Sequence, residues 1–233
     1  MRISILTDNP GSWFVPYGTQ LASILTALGH DTTYVFRKQD MPVGEICFLL
    51  SCVRVIEEDY LHRNSNTIVV HASDLPRGKG FAPLQWQILE GRQEIVVTLL
   101  EAVAAADAGP YYLKSILRYD GTELHDELRE KLGIAIVGMC VDFVARRNSL
   151  KPIQQEGEGS VYPRRTDKDD ELDVSKSIQA QFNHFRIADN ERCPLYFRHL
   201  GQKYIVKIYK DRSQECDGRT TAGRELAADT PGR

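Results

Sequence analysis

Short strand-like runs alternate with helically spaced segments over the first 120 residues. Six segments are apolar or rich in β-branched side chains and predict strands: residues 2–7, 32–36, 45–50, 67–71, 95–100 and 110–117. Three segments between them have apolar residues at helical spacing: residues 21–28, 57–63 and 83–89. Strands that alternate with helices predict an α/β fold, here a Rossmann-like, mostly parallel twisted sheet with helices on both faces.

The longest helix is predicted after Asp120-Gly121-Thr122, which offers an amino-terminal cap. Apolar residues recur every three or four positions along it: Leu124, Leu128, Leu132, Ile136, Met139 and Phe143. Such a stripe is typical of a helix packed on a core. We interpret it as a packing face and not as a cofactor site.

A break in the pattern near residues 149–160 divides the chain. We predict an α/β domain over residues 1–150 and a small α+β subdomain, made of a helix and a hairpin, over residues 151–212. Residues 213–233 are polar and aperiodic, which predicts a disordered tail.

The small subdomain has two recognisable patterns. Asp173 or Ser175 can cap a helix that carries Ile178, Phe182 and Phe185. Residues 195–200 and 203–209 alternate between apolar and polar side chains, which predicts a hairpin about Gly201-Gln202.

The composition is that of a soluble globular protein, with 42% hydrophobic and 26% charged residues among 233. The net charge of -3 gives no overall electrostatic reason to expect nucleic-acid binding. The five cysteines form no C-x-x-C pair, which predicts reduced thiols in a cytoplasmic protein and no structural zinc site. The first residues lack the apolar core of a signal peptide, and no apolar run reaches the roughly 20 residues that span a bilayer.

One histidine and one carboxylate are candidates for chemistry because of where they fall in this pattern. His71 ends the strand predicted at residues 67–71, and Asp107 follows the run at residues 95–100 after a loop of small residues. Ligands bind at the carboxyl ends of strands in open α/β sheets, so we expect the two side chains to meet at one sheet edge. A core histidine and a turn-forming aspartate are the alternatives that the residues alone leave open.

The loop after the histidine follows the pattern H-x-S-x-L-P-x-x-[RK]-G-x-x-P. The matching residues are His71, Ser73, Leu75, Pro76, Lys79, Gly80 and Pro83. Asp107-Ala108-Gly109 follows, with the aspartate thirty-six residues after the histidine. This combination resembles the 10-formyltetrahydrofolate-dependent formyltransferases, over roughly residues 1–210. Two further segments are similar to the nucleotide-sugar N-formyltransferases within that family: Ala82-Pro83-Leu84-Gln85-Trp86 and Arg164-Arg165-Thr166.

The resemblance implies transfer of a formyl group from 10-formyltetrahydrofolate to an amine, without a metal. His71 would accept the amine proton, and Asp107 would orient the imidazole or relay a proton through water. The family has an asparagine two residues before the histidine, where this chain has Val69, which cannot donate a hydrogen bond. Since losing an oxyanion donor costs about 10²–10³ in rate, we expect Ser51, Ser73 or a loop N–H to act instead.

The resemblance also implies where the two substrates bind. The pterin of the donor would lie near the backbone of Ala104, Ala105 and Ala106, which otherwise form a plain loop of small residues. The candidates for the acceptor's phosphates and base are Lys79, Tyr162, Arg164, Arg165 and Lys168. The alternatives for these positions are a solvated lysine, a packed tyrosine and a surface loop neutralised by its own acidic residues.

The acceptor that we predict is a nucleotide-linked 4-amino-4,6-dideoxy sugar, used for lipopolysaccharide or another surface glycoconjugate. Methionyl-tRNA formylation and a non-catalytic folate or sugar-nucleotide binding protein are the alternatives. Residues 151–233 contain 15 Lys/Arg and 14 Asp/Glu, a net charge of only +1, which weakens the tRNA alternative. The retained His71 and Asp107 count against the binding protein. We expect no nucleic-acid or membrane partner, and the hairpin is our candidate for a homodimer interface.

Overall fold

A six-stranded sheet organises the amino-terminal part of the chain in the computed structural model, which describes residues 1–211. The strands are β1 (Arg2–Leu6), β2 (Asp31–Val35), β3 (Ile46–Leu49), β4 (Asn66–His71), β6 (Glu94–Glu101) and β7 (Tyr111–Arg118). A two-residue strand, β5 (Lys79–Gly80), lies outside this sheet. The predicted disordered tail, residues 213–233, lies outside the described residues.

The spatial order of the sheet is β2-β1-β3-β4-β6-β7. The first four strands in this order are parallel, while β6 and β7 each run antiparallel to their neighbour. The predicted Rossmann-like, mostly parallel α/β sheet is therefore confirmed. The antiparallel strands matter for the site, because β6 carries the chain away from the edge at which β4 ends. His71 pairs with Thr98, and Ile68 pairs with Glu101 at the opposite end of the pairing.

Helices cover both faces of the sheet. The large core cluster includes apolar side chains of α1 (Val15–Ala27), α3 (Pro83–Leu89) and α4 (His125–Arg146). A smaller cluster on the other side of β4 includes Leu61 from the short helix α2 (Glu58–Leu61). Side chains alternate along β4, so Val70 packs with the large cluster and Val69 with the small one.

The start of the longest helix differs from the prediction. The amino-terminal cap is Leu124 and not the Asp120 turn, and the Glu127 carboxylate accepts the Leu124 N–H at 2.8 Å. Asp120 closes its own turn, because its carboxylate accepts both the N–H and the hydroxyl of Thr122. The apolar stripe is buried from Leu128 to Phe143, as predicted for a packing face, but two of its members, Leu132 and Ile136, also line a cavity beside His71.

The carboxyl-terminal part of the described chain packs on the sheet domain through polar and apolar contacts. It contains β8 (Val161–Tyr162), α5 (Phe182–Ile187), β9 (Leu195–His199) and β10 (Gln202–Val206). The predicted helix starts later than expected: residues before Phe182 form turns and a 3₁₀ segment, and Ile178 is 66% exposed. Ile187 enters the large core, and the buried Arg186 guanidinium lies 3.1 Å from the Glu123 carboxylate.

The hairpin is present, but its turn is Leu200-Gly201 and not Gly201-Gln202. His199 pairs directly with Gln202, which leaves two residues in the loop. Both have positive φ, 47° and 82°, as a two-residue turn between twisted strands requires. Among residues 1–211, no helix combines the length and apolar character needed to cross a membrane.

Candidate active site

His71 lies at the carboxyl end of β4, as predicted, and is 8% exposed. Its Nε2 lies 2.8 Å from the carbonyl oxygen of Gly78. A carbonyl can only accept, so Nε2 carries the proton and donates it to Gly78. In the neutral imidazole the lone pair is therefore on Nδ1, and Nδ1 is the nitrogen that can act as a base.

Asp107 faces this basic nitrogen. Its Oδ1 lies 3.4 Å from Nδ1 of His71, and its Oδ2 accepts the N–H of Gly80 at 2.9 Å. Once His71 gains a proton, both ring N–H groups have an acceptor, one carbonyl and one carboxylate. The arrangement thus stabilises the imidazolium that proton abstraction would create.

The route by which Asp107 reaches His71 differs from the sequence argument. Because β6 is antiparallel, it ends at the far end of β4, and the loop of residues 102–109 returns the chain to the histidine. Asp107 has the left-handed backbone φ of 54°, and its carbonyl accepts a hydrogen bond from the Gln155 side chain at 2.9 Å. The loop ends at Gly109. A side chain is excluded there, because a Cβ would lie 1.8 Å from the Glu101 carbonyl oxygen.

The loop between β4 and α3 holds both partners of this pair. It contains a cis peptide bond before Pro76 and positive φ at Gly78 and Gly80. β5 within this loop pairs in parallel with β8, and the Gly78 N–H donates to the Ser160 hydroxyl at 2.9 Å. The backbone groups that fix His71 and Asp107 are therefore supported by a segment about eighty residues farther along the chain.

A cavity of about 470 Å³ opens beside the pair. This volume falls within the roughly 300–1,000 Å³ typical of small-molecule sites. Its walls come from the ends of β3 and β4, the loops at residues 51–56, 80–85 and 101–107, Trp13, and one face of α4. The lining includes His71 and Asp107, so the candidate base opens onto enclosed space.

Of the two serines that we predicted as substitutes for the family's asparagine, Ser51 lines the cavity and Ser73 does not. Val69 lines the cavity on the same face of β4 as His71. Ser51 also lines the cavity, with φ of 57°, and its hydroxyl lies 2.9 Å from the Ser12 hydroxyl. Ser73 is 1% exposed, is not part of the cavity wall, and its hydroxyl has no hydrogen-bond partner among the described residues.

The predicted donor loop lies at the cavity. Ala104 and Ala106 line it, and Ala104, Ala105 and Ala106 are all exposed. Small side chains there leave the backbone of the loop open to a flat ring, which fits the pterin of a folate. Contact with these three residues stays a prediction.

The predicted acceptor residues fall into two groups. Arg164 lies near the cavity, with its guanidinium 4.1 Å from the ring centre of Phe81, a lining residue. Lys79 in β5 and the exposed Lys168 are not part of the cavity wall. Their contact with an acceptor stays a prediction.

The other two candidates have partners within the protein. The Arg165 guanidinium forms a hydrogen-bonded ion pair with the buried Asp170. The Tyr162 ring stacks on Trp86 at 6.2 Å, and its hydroxyl donates to Glu90 at 2.8 Å. Burial raises the pKa of Tyr162 to about 12, with Glu90 adding to the effect. Both side chains therefore contribute to packing, whatever they contact in a complex.

Trp13 and Arg129 are among the cavity residues that the sequence argument missed. Arg129 lies three and seven positions before Leu132 and Ile136, which also line the cavity. A charged residue in register with an apolar helix stripe was the available signal. Trp13 lies in a turn-rich loop and had no such signal.

The remaining lining side chains do not offer a metal site or a nucleophile. Within residues 1–211, no group of three or more His, Cys, Asp or Glu side chains is placed to hold a metal ion. Cys52 lines the cavity, but burial raises the pKa of its thiol to about 12. The thiol is therefore protonated at neutral pH and is a poor nucleophile.

Solved structures share this fold. Methionyl-tRNA formyltransferase from Clostridium thermocellum superposes with a TM-score of 0.77 at 19% identity, covering 91% of this chain and 94% of that one. The formyltransferase PseJ from Anoxybacillus kamchatkensis, in complex with UDP-4,6-dideoxy-4-formamido-L-AltNAc and tetrahydrofolate, gives 0.58 at 20% identity, covering 70% and 85%. The chain therefore has the α/β fold of the formyltransferases.

Sequence similarity points the same way. Methionyl-tRNA formyltransferase from Streptococcus pyogenes serotype M12 is 34% identical over 158 residues, which are 66% of this chain and 50% of that protein. The chain thus spans about half the length of the curated relatives it matches. No protein-family model matches it. Sequence and fold agree: the chain has the formyltransferase fold and is similar in sequence to methionyl-tRNA formyltransferases over about half of their length.

Proposed function

We propose that this chain transfers a formyl group from 10-formyltetrahydrofolate to the amine of a nucleotide-linked 4-amino-4,6-dideoxy sugar. The observation that carries this is the His71 and Asp107 pair in the cavity wall, with Nδ1 of the histidine as the basic nitrogen. Amide formation needs a base for the amine proton and little other covalent help. The product would serve lipopolysaccharide or another surface glycoconjugate.

In this proposal His71 and Asp107 manage one proton. The amine nitrogen attacks the formyl carbon, and Nδ1 of His71 accepts the proton that the amine loses. The C–N10 bond then breaks, and the same proton returns to N10 as the folate leaves. Asp107 holds the imidazolium between the two steps, and Gly78 fixes the ring through Nε2. Atoms and charges balance without a metal or an oxidant.

The oxyanion formed on the formyl oxygen needs a hydrogen-bond donor, which Val69 cannot supply. We assign this role to Ser51, because it lines the cavity whereas Ser73 does not. The Ser12 hydroxyl, which accepts the Phe14 N–H at 3.2 Å, can donate its own proton to Ser51. The Ser51 O–H is then available to the oxyanion.

The valine offers a direct check of this assignment. If Ser51 supplies the donor, Val69→Asn gives little gain in turnover, because the formyl oxygen already has a hydrogen-bond donor. A gain approaching the roughly 10²–10³ expected for a restored oxyanion donor would show that no other group has taken the role. The measurement is the initial rate of tetrahydrofolate formation with the best acceptor.

Two observations bear on the acceptor. The PseJ neighbour was solved with a nucleotide-linked formamido sugar, which supports a sugar nucleotide. The relatives found by sequence are methionyl-tRNA formyltransferases, which makes initiator tRNA the second candidate. We favour the sugar because residues 151–233 have a net charge of only +1, whereas tRNA binding relies on an excess of basic residues.

The test is formyl transfer from 10-formyltetrahydrofolate to a panel of UDP-, dTDP- and GDP-linked amino sugars and to charged initiator tRNA. We expect turnover on one sugar nucleotide and none with His71→Ala. Turnover on the tRNA alone would replace the sugar by the second candidate. Binding of tetrahydrofolate without transfer to any amine would make the chain a binding protein.

The carboxyl-terminal hairpin supports a further part of the proposal, a homodimer. Leu200 in the turn is 90% exposed, and Tyr204 and Ile205 in β10 are 47% and 53% exposed. An antiparallel pair with apolar exposed side chains can add strands from a second copy. Light scattering on a size-exclusion column tests this: we expect twice the 26.4 kDa chain mass, and a loss of the dimer with Ile205→Lys. A monomeric wild type would contradict it.

A further inference from the structure

Arg129 is a charged side chain of the cavity wall to which the proposed reaction gives no role. It projects from α4 on the face that also carries Leu132 and Ile136 into the cavity wall. Its side chain is 24% exposed, so the guanidinium is largely removed from bulk water. A charge in such a place is costly unless a partner of opposite charge meets it.

Two contacts fix the guanidinium from the protein side. It lies 5.5 Å from the ring centre of Trp13, and its Nη1 donates to Oδ2 of Asp189 at 3.3 Å. Asp189 is itself held by the backbone N–H groups of Glu191 and Arg192, at 3.1 and 3.0 Å. Arg129 is therefore oriented before any ligand arrives, which lowers the entropy cost of binding.

Within residues 1–211, the rest of the guanidinium has no protein acceptor. Of its three nitrogen atoms, only Nη1 has a hydrogen-bond partner among residues 1–211. Arginine presents five N–H donors in a planar fork that matches two oxygens of a phosphate or carboxylate. The unoccupied donors of Arg129 thus require an anion or water at this wall of the cavity.

Arg129 lies on the opposite side of the cavity from the predicted folate loop. His71 and Val69 project on the face of β4 that also bears the small core cluster, with Ala102 at the start of the predicted donor loop. Arg129 and Trp13 lie on the opposite face, beside the large core cluster. The cavity passes over the sheet edge between them. A folate on the loop at residues 104–106 leaves the Arg129 side to the second substrate.

We infer that Arg129 binds a phosphate group of the acceptor and so determines specificity for a phosphorylated amine. Trp13 and Asp189 act as positioning residues for its guanidinium. The inference rests on the proposed function for the identity of the acceptor, since a nucleotide sugar carries a diphosphate. The carboxylates of the folate tail are the other anions in the reaction, and the experiment separates the two.

The experiment compares Arg129→Gln with wild type by isothermal titration of UDP, dTDP, GDP and tetrahydrofolate. Arg146→Gln is the matched control, because Arg146 lies on the same helix, is exposed, and pairs with Asp142 at 2.8 Å. We expect the affinity for the preferred nucleoside diphosphate to fall about 10- to 100-fold in Arg129→Gln, the loss typical of a charged hydrogen bond. Tetrahydrofolate affinity and the control should match wild type.

Arg129→Lys keeps the charge and loses the planar fork, so it serves if the glutamine variant does not fold. We expect it to bind the diphosphate less tightly than wild type and tetrahydrofolate equally well. Equal diphosphate affinity in wild type and both variants would overturn the inference, as would a loss confined to tetrahydrofolate or a wild type that binds no nucleoside diphosphate. Diphosphate binding that depends on Arg129, without formyl transfer to any sugar, would retain the inference and reject the proposed reaction.

Discussion

Replacing Asp107 by asparagine tests how the candidate base works. Oδ2 of Asp107 accepts the Gly80 N–H at 2.9 Å, and Oδ1 faces Nδ1 of His71 at 3.4 Å. An asparagine has one acceptor oxygen, which Gly80 requires, so its NH₂ group must face the histidine. That NH₂ donates to Nδ1 and occupies the lone pair that would accept the amine proton. If His71 were protonated, its Nδ1–H would point at this NH₂ group, and two donors would face each other without an acceptor.

The size of the effect follows from the distance. Two unit charges 3.4 Å apart attract by about 5 kcal/mol at an effective dielectric constant of about 20, which is an upper bound on what the imidazolium loses. General acid–base catalysis contributes roughly 10²–10⁴ in rate, or about 3–5 kcal/mol. Both arguments give a fall in kcat of about 10²–10⁴ for Asp107→Asn.

The assay is the initial rate of tetrahydrofolate formation at saturating donor and acceptor. Asp74→Asn is the matched control, because Asp74 lies in the loop after β4 but pairs with Lys114 at the surface. We expect the control to keep wild-type activity and both variants to bind tetrahydrofolate as wild type does. Nearly full activity in Asp107→Asn would refute the role given to the carboxylate, and a parallel loss in the control would show a general effect on the loop.

Three further substitutions have outcomes that the contacts define. Ser51→Ala should lower kcat by about 10²–10³ with little change in KM if its hydroxyl stabilises the oxyanion, and an unchanged kcat would exclude it. Gly109→Ala should lower the free energy of unfolding by about 3 kcal/mol or more in urea titrations, because its Cβ would lie 1.8 Å from the Glu101 carbonyl oxygen; wild-type stability would contradict that steric reason. Arg186→Ala should cost about 3 kcal/mol in the same measurement, since it empties a buried site and removes the 3.1 Å partner of Glu123, which retains Lys131 at 2.5 Å; a loss under about 1 kcal/mol would show that the Arg186–Glu123 ion pair is dispensable.

The sheet was predictable from the sequence because strand-like runs and helical spacing are local properties. The strand that ends in His71 and the helix at Pro83–Leu89 were placed almost to the residue. The direction of β6 was not predictable in the same way, because the apolar run at residues 95–100 is compatible with either strand direction. The sequence argument therefore brought Asp107 to the histidine by the wrong route, along a strand end and not through a returning loop.

Helix starts were the weaker part of the prediction. Asp120 and Glu127 both suit a helix start by composition, and only the backbone decides which one caps it. Ile178 was expected on a buried helix face, but the turns before α5 leave it exposed. Capping residues are common in turns too, so residue type alone does not separate a turn from a helix start.

Local patterns did not show which of the side chains that we assign to the acceptor reach the cavity. Arg164, Arg165 and Lys168 were chosen as neighbours in sequence, yet Arg165 pairs within its own loop while Arg164 reaches the cavity rim. Arg129 comes from a helix on the far side of the sheet, where only the tertiary fold shows that its charge meets enclosed space.

The pairing of β5 with β8 bears on how the protein is made. By the time residue 150 has left the ribosome, the candidate base, its carboxylate and the wall of the cavity have all been synthesised. The strand that holds their loop in place has not. Residues 160–162 must emerge before Gly78 and Gly80 can take their supported positions. A carboxyl-terminal part exchanged from a relative would therefore also have to supply the contacts of Ser160 and β8 that support the loop of the base.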